Sequence, residues 1–263
     1  MTDASDVVLY EKRDRIAYVT LNRPEAMNAL NSQVSSRLHD IWVDFRDDDD
    51  LLVAILTGAG GRAFSAGADL KEVGDRQSRG LSAFAGNDSG SRFIPDLGVW
   101  KPIIAAIDGY CVAGGLELAM QCDIRIATEQ SQFGLPEPRW SIMPAYGLHH
   151  MMRMIPTGDA LRMMLTGSRI SSADALRVGL VQAVHPDRDA LTEAAEALAA
   201  EVKLCAPMAV QAIKQIAYVG RSMPPEYSYR FAQELSAKVL GSEDAQEGPK
   251  AFAERRAPQW KSR

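Results

Sequence analysis

Residues 101–127 read KPIIAAIDGYCVAGGLELAMQCDIRIA, and their alternation decides the fold. Lys101 to Asp108 is an apolar run of strand length, Gly109 to Gly115 a small-residue turn, Leu116 to Gln121 a short helix, and the run through Thr128 a second strand. A strand, a turn, a helix and a strand in under thirty residues point to a layered α/β fold.

The pattern continues towards the N-terminus. Val7 to Tyr10 and Ile16 to Leu21 are β-biased runs around a polar Glu-Lys-Arg-Asp turn, and they predict an opening hairpin. Asn31 or Ser32 can cap a helix whose apolar positions Val34, Leu38, Ile41, Trp42 and Phe45 recur at the 3.6-residue period. Asp47 to Asp50 end that helix, and side chains so close in sequence diverge and repel, so they read as a solvated turn and not a metal site. The apolar run LLVAILTG then predicts a strand buried on both faces. The polar stretch from Lys71 to Phe93 suits a loop or loose helix that could cover a site.

Towards the C-terminus the alternation stops. Asp189 to Leu204, Met208 to Val219 and Tyr227 to Leu240 have helical spacing, and Pro207 and Met223-Pro224-Pro225 separate them. The expected organisation is a core over 1–200 that carries the site, followed by a helical region over 201–263 that packs on the core or on a second subunit.

Bulk properties exclude several classes. The chain has 263 residues, near the size at which a single core stops growing, and 46% hydrophobic with 24% charged residues is ordinary for a globular protein. No apolar run approaches the roughly 18 residues of a membrane span, and the first residues lack the apolar core of a secretory signal. Three cysteines without close spacing suit buried thiols in a reducing cytoplasm, with no disulfide framework and no metal. The net charge of −5 leaves no general field for nucleic acid or an anionic membrane.

Two motifs mislead. Gly58-Ala59-Gly60-Gly61-Arg62-Ala63 matches the dinucleotide fingerprint, but no helix and second strand with a terminal acid follow at the required distance. Ser65 resembles a hydrolase nucleophile, yet Ala63 occupies the place where that elbow needs glycine, so a packed small residue is expected. The four histidines His39, His149, His150 and His185 suggest no triad.

A different chemistry fits the small residues. Ala66-Gly67-Ala68 and Ala113-Gly114-Gly115 let a ligand approach the backbone, and the second cluster opens a helix whose unpaired N–H groups favour a negative oxygen. Glu117 lies three positions after Gly114 inside the apolar run GGLELAM, where it either works in a site or interacts with the helix dipole. Glu137 stands between Pro136 and Pro138 in a rigid loop that either aims a carboxylate or exposes it to solvent.

Taken together, LNRPEAMNAL, TGAGGRAFSAGADLKE, KPIIAAIDGYCVAGGLELAMQCDIRIA, FGLPE and LTGSRISSADALRVGLV occur in the order of the enoyl-CoA hydratase/isomerase (crotonase) family, which the chain resembles over nearly its whole length. The resemblance implies an α/β fold with a repeated β-β-α spiral core and a helical C-terminal region, assembled as a homotrimer or a dimer of trimers. It implies an acyl-CoA thioester substrate, with CoA belonging to that substrate and no separate cofactor. By matching position, Glu117 and Glu137 are the acid/base pair and Ala68 and Gly114 the oxyanion hole, while Ala26, Ala66, Asp69, Leu70 and Lys71 line the CoA path. Ser141, Trp140, Tyr146 and His149-His150 depart from the family's usual glycine, aliphatic and small or amide residues, which reads as an altered acyl pocket or a repacked core. The implied activity is hydration of a 2-enoyl-CoA to a 3-hydroxyacyl-CoA. A Δ3,Δ2-enoyl-CoA isomerase or another acyl-CoA lyase is the enzymatic alternative, and an RNA-binding or scaffolding role is the non-enzymatic one. The basic tail residues Arg255, Arg256, Lys261 and Arg263 are either solvated or directed at CoA phosphates.

Overall fold

The opening hairpin forms as expected. In the computed structural model, which describes residues 7–78 and 94–262, Val8–Arg13 (β1) and Ile16–Leu21 (β2) pair antiparallel, with β1 running beyond the expected Tyr10 as an exposed edge. Ser32–Asp47 (α1) starts where Asn31 accepts a hydrogen bond from the Val34 N–H at 2.9 Å, and its buried residues are the five of the predicted stripe. Its C-terminal carbonyls meet a buried ammonium: Lys101 Nζ donates to Phe45 O at 2.9 Å and to Asp48 O at 2.6 Å. That contact satisfies groups a helix end would otherwise leave open.

A β-β-α unit then recurs. Val53–Gly58 (β3), Ala63–Ser65 (β4) and Leu70–Ser78 (α2) form the first; Ile103–Ile107 (β5), Tyr110–Val112 (β6) and Gly114–Met120 (α3) the second. Ile124–Thr128 (β7) and Gln132–Gly134 (β8) begin a third, which passes through a 3-10 turn at Glu137–Trp140 into Tyr146–Met154 (α4). The first strand of each unit joins a six-stranded sheet ordered β1-β2-β3-β5-β7 and closed by Ala183–His185 (β10), parallel from β2 onward. The second strand joins a smaller sheet, β4-β6-β8, edged by antiparallel Arg169–Ser171 (β9). The chain therefore advances as a spiral between two sheets. Because β3 leads to a turn and another strand, the Gly58-rich segment opens no helix, and the dinucleotide reading fails on structure as well as on sequence.

Strand periodicity divides the core. Ile16, Val53, Ile55, Ile104, Ala106 and Ile126 face Leu191, Ala195 and Ala199 of Arg188–Lys203 (α7). Their neighbours Ala17, Val19, Ala54, Leu56, Ile103, Ala105 and Ile107 point the other way, into a larger cluster with Phe45, Phe64 and Phe133. LLVAILTG is thus buried on both faces as expected, with the regular strand starting at Val53.

Beyond the spiral lie Thr157–Thr166 (α5), Ser172–Arg177 (α6), Pro207–Val219 (α8), Pro225–Leu240 (α9) and Asp244–Glu254 (α10). α7, α8 and α9 match the three expected helices. α10 does not appear in the sequence reading because Gly248-Pro249 falls in its interior, where the missing proline N–H signals a break. No helix among the described residues is long and apolar enough to cross a membrane. Residues 79–93 of the stretch expected to cover a site lie outside the described residues; its start forms α2.

Candidate active site

Helix α3 fits against β4 because Gly115 has no side chain: a Cβ there would stand 2.4 Å from the Ser65 carbonyl oxygen. Ser65 is fully buried, donates to Asn28 O at 2.8 Å and accepts from the Gly67 N–H at 3.2 Å, so it is the packed residue expected and no nucleophile. Gly67, with φ at +87°, sits under the start of α3, where a Cβ would lie 2.6 Å from Ala113 Cβ and 2.8 Å from Gly114 N.

This crossing brings the two predicted oxyanion residues together. A Cβ on Gly114 would be 3.7 Å from Ala68 N and 3.6 Å from Gly67 Cα. Ala68 forms a parallel bridge with Leu30 in which Leu30 N donates to Gly67 O at 2.8 Å and Asp69 N to Leu30 O at 3.1 Å. That pattern turns the N–H of Ala68 itself away from Leu30. Ala113, the residue before α3, has φ 52° and ψ −135°, a combination that L-residues rarely hold and that costs on the order of 1–3 kcal/mol.

The carboxylates differ in their surroundings. Glu117 is carried by α3 and reaches the first turn of α4, where the Gly147 N–H donates to its Oε1 at 2.8 Å. Burial raises its carboxyl above the usual range, while the N–H groups of Gly147, Ala145 and Tyr146 favour the charged form. Glu137 begins the 3-10 turn and is only 8% exposed, and its Oε2 has no hydrogen-bond partner among the described residues. Burial pushes its carboxyl up to about 7; its own N–H opposes this and the nearby Glu117 charge adds to it. The loop glutamate is therefore buried and interacts with Glu117, so the solvated alternative is excluded.

Along the predicted CoA path, Ala26 closes the 3-10 turn Pro24–Ala26, and the next residue, Met27, accepts from Ala66 N at 3.0 Å. Asp69 is committed elsewhere: Arg23 donates to its Oδ2 at 3.0 Å and to Ala29 O at 2.7 Å. Leu70 is 62% exposed and Lys71 is also exposed. Arg23 is absent from the sequence reading, because its partner is 46 residues away. Gly147, which holds Glu117, is likewise a residue that no local pattern marks.

The departures resolve in part. Ser141 ends the 3-10 turn with φ 57° and ψ 36°, the left-handed region where glycine fits at least cost. Ser141→Gly is expected to raise stability by about 1 kcal/mol, seen as a higher melting temperature. Trp140 and Met143 are exposed, whereas Tyr146 is buried and stacks on His150 with ring centroids 3.8 Å apart. In the tail, Arg256 pairs with Glu247 and Glu254, and Lys261 with Glu243. Among the described residues no cluster of three or more His, Cys, Asp or Glu side chains could hold a metal ion.

Comparison with known proteins matches the enoyl-CoA hydratase/isomerase family profile to residues 11–263. The chain is 43% identical over 252 residues to (E)-benzylidenesuccinyl-CoA hydratase of Thauera aromatica, spanning 95% of this chain and 97% of that one. It is 40% identical over 253 residues to carnitinyl-CoA dehydratase of Salmonella typhi, spanning 94% and 95%. Among solved structures it resembles an enoyl-CoA hydratase from Mycobacterium tuberculosis H37Rv with a TM-score of 0.89 at 38% identity, covering 98% of this chain and 100% of the other.

Proposed function

The chain belongs to the enoyl-CoA hydratase/isomerase family, and we propose that within it the protein is a hydratase that adds water to a 2-enoyl-CoA thioester. The observation that carries this reading is the pair of neighbouring carboxyls with unlike environments. Burial raises both carboxyls, but at Glu117 the N–H groups of Gly147, Ala145 and Tyr146 oppose the rise and favour the anion, whereas Glu137 lacks a partner at one oxygen and is pushed up to about 7. Groups whose surroundings separate their pKa values divide into a base and an acid.

In this mechanism water oxygen bonds to C3 while Glu117 takes its proton, and the C2–C3 π electrons move onto the thioester oxygen. The N–H groups of Ala68 and Gly114 hold that negative oxygen. As the enolate collapses, its electrons form a C–H bond at C2 with the proton delivered by Glu137. Glu137 recovers a proton and Glu117 loses one before the next cycle, so the two titrate as a coupled pair. Ala26, Ala66, Asp69, Leu70 and Lys71 border the CoA path, where Asp69, paired to Arg23, acts by holding the loop.

Isomerisation of a 3-enoyl-CoA needs one carboxyl to move a proton between C4 and C2, and Glu137 alone could do that. Two considerations favour hydration: the second carboxyl is oriented at 2.8 Å by Gly147, and the relatives from Thauera and Salmonella carry names that denote hydration and dehydration. We place subunit assembly, as a trimer or a pair of trimers, on the helical region 201–263, where α9 buries none of its residues within the chain.

The test supplies crotonyl-CoA and a 3-enoyl-CoA separately and identifies products across pH. Hydration of the first to a 3-hydroxyacyl-CoA is expected, with kcat/KM falling as pH rises through about 7, where Glu137 loses the proton that C2 requires. Double-bond migration without a hydroxyacyl product would establish the isomerase instead.

A further inference from the structure

Ala113 differs from the other positive-φ residues that flank helices. Met27, Ser141 and Arg255 combine positive φ with ψ of 37°, 36° and 40°, in the small left-handed well open to ordinary residues. Ala113 instead has ψ −135°, where a Cβ is poorly tolerated. Both of its peptide groups are held. Its N–H donates to Gly134 O at 2.9 Å, and its carbonyl accepts from the Glu117 N–H at 3.1 Å. Its methyl group lies over Gly67, so close that a Cβ on that glycine would come within 2.6 Å of it.

We infer that Ala113 is a positioning residue whose methyl group, seated on Gly67 by a strained backbone, sets the separation and aim of the Ala68 and Gly114 N–H groups. The inference rests on the oxyanion role given above to those two groups. The ψ of Ala113 directs the next peptide, so it orients the Gly114 N–H. Its methyl bears on Gly67, so it also fixes the peptide that ends in the Ala68 N–H. The Glu117 N–H bond to its carbonyl ties the base to the same residue. Alanine at a position suited to glycine thus removes a rotation that a glycine would permit, and the two donors stay fixed as charge develops.

The test uses Ala113→Gly and Ala113→Ser in the full chain, with a chromophoric aromatic 2-enoyl-CoA as probe. Polarisation of its thioester carbonyl by two aligned donors shifts the bound absorption band to the red. Ala113→Gly is expected to melt no lower than the wild type, to lose about tenfold in kcat with KM little changed, and to lose most of the red shift. Tenfold is smaller than the roughly 100-fold or greater loss on deleting a donor, because the donors are misaligned and not removed. Ala113→Ser keeps a Cβ and is expected to retain the shift. If the wild type shows no red shift on binding, the oxyanion reading itself fails and takes the inference with it. If the wild type shows the shift and Ala113→Gly retains it with full kcat, the oxyanion reading stands and only the role of Ala113 is overturned.

Discussion

Glu137→Gln is expected to lower kcat for hydration of crotonyl-CoA by about 1000-fold with little change in KM, within the range typical of a positioned general acid. The amide keeps the shape of the buried side chain and cannot pass a proton to C2. Glu117→Gln is expected to lose a similar factor, because an amide cannot take the proton from water. Turnover of either variant within a few-fold of wild type would refute the paired mechanism.

The same substitution at Glu137 has a stability signature of opposite sign. Burial pushes its carboxyl from 4.5 up to about 7 in the folded chain, so stability is full below about pH 4.5, falls as pH rises from there, and the loss is complete once pH passes about 7. At 1.36 kcal/mol per pKa unit the loss approaches about 3 kcal/mol. Glu137→Gln is therefore expected to melt above the wild type at pH 8 and to lose that advantage at pH 5. A variant that is slow yet more stable above neutrality separates a functional burial from a packing role.

The second large effect is expected from Gly115→Ala. The new methyl meets the Ser65 carbonyl at 2.4 Å and Ser65 Cβ at 2.7 Å, and a fully buried backbone cannot yield as a surface side chain would. α3 must move away from β4, and with it both Gly114 and Glu117. Displacement of about 1 Å typically costs about 100-fold in rate, and overpacking about 1–3 kcal/mol in stability. Kinetics and chemical denaturation on the same sample check both; a variant with wild-type rate and midpoint would show that the contact relaxes without consequence.

Much of this was legible before the structure, for reasons that differ by element. The α1 stripe was readable in full because one face packs on a core and the period records it. The three-residue strands β4, β6, β8 and β9 are too short to display any period, so the second sheet is not legible in the sequence and Tyr110–Val112 reads as part of a turn. The β-β-α unit recurs as backbone path and strand pairing, while the residues common to its copies amount to short small-residue clusters such as Ala66-Gly67 and Ala113-Gly114, too few to show as a sequence repeat. Glu117 announced itself as a charge in an apolar helix. Glu137 did not, because its proline neighbours signal a loop and its burial comes from elements packed around that loop. Arg23–Asp69 and Gly147–Glu117 are contacts between distant segments, which composition and spacing do not encode.

The parallel order of the large sheet bears on how the chain reaches its native state. β2 pairs with β3, β3 with β5 and β5 with β7, and each partner arrives only after a crossover through the other sheet or a helix. Local hairpin closure is confined to β1 and β2 at one end, so most pairings must close long loops before any hydrogen bond compensates the lost chain entropy. A nascent chain that has emerged only as far as β5 exposes an unpaired apolar edge until β7 follows, and edges of that kind are the ones through which folding chains pair with one another.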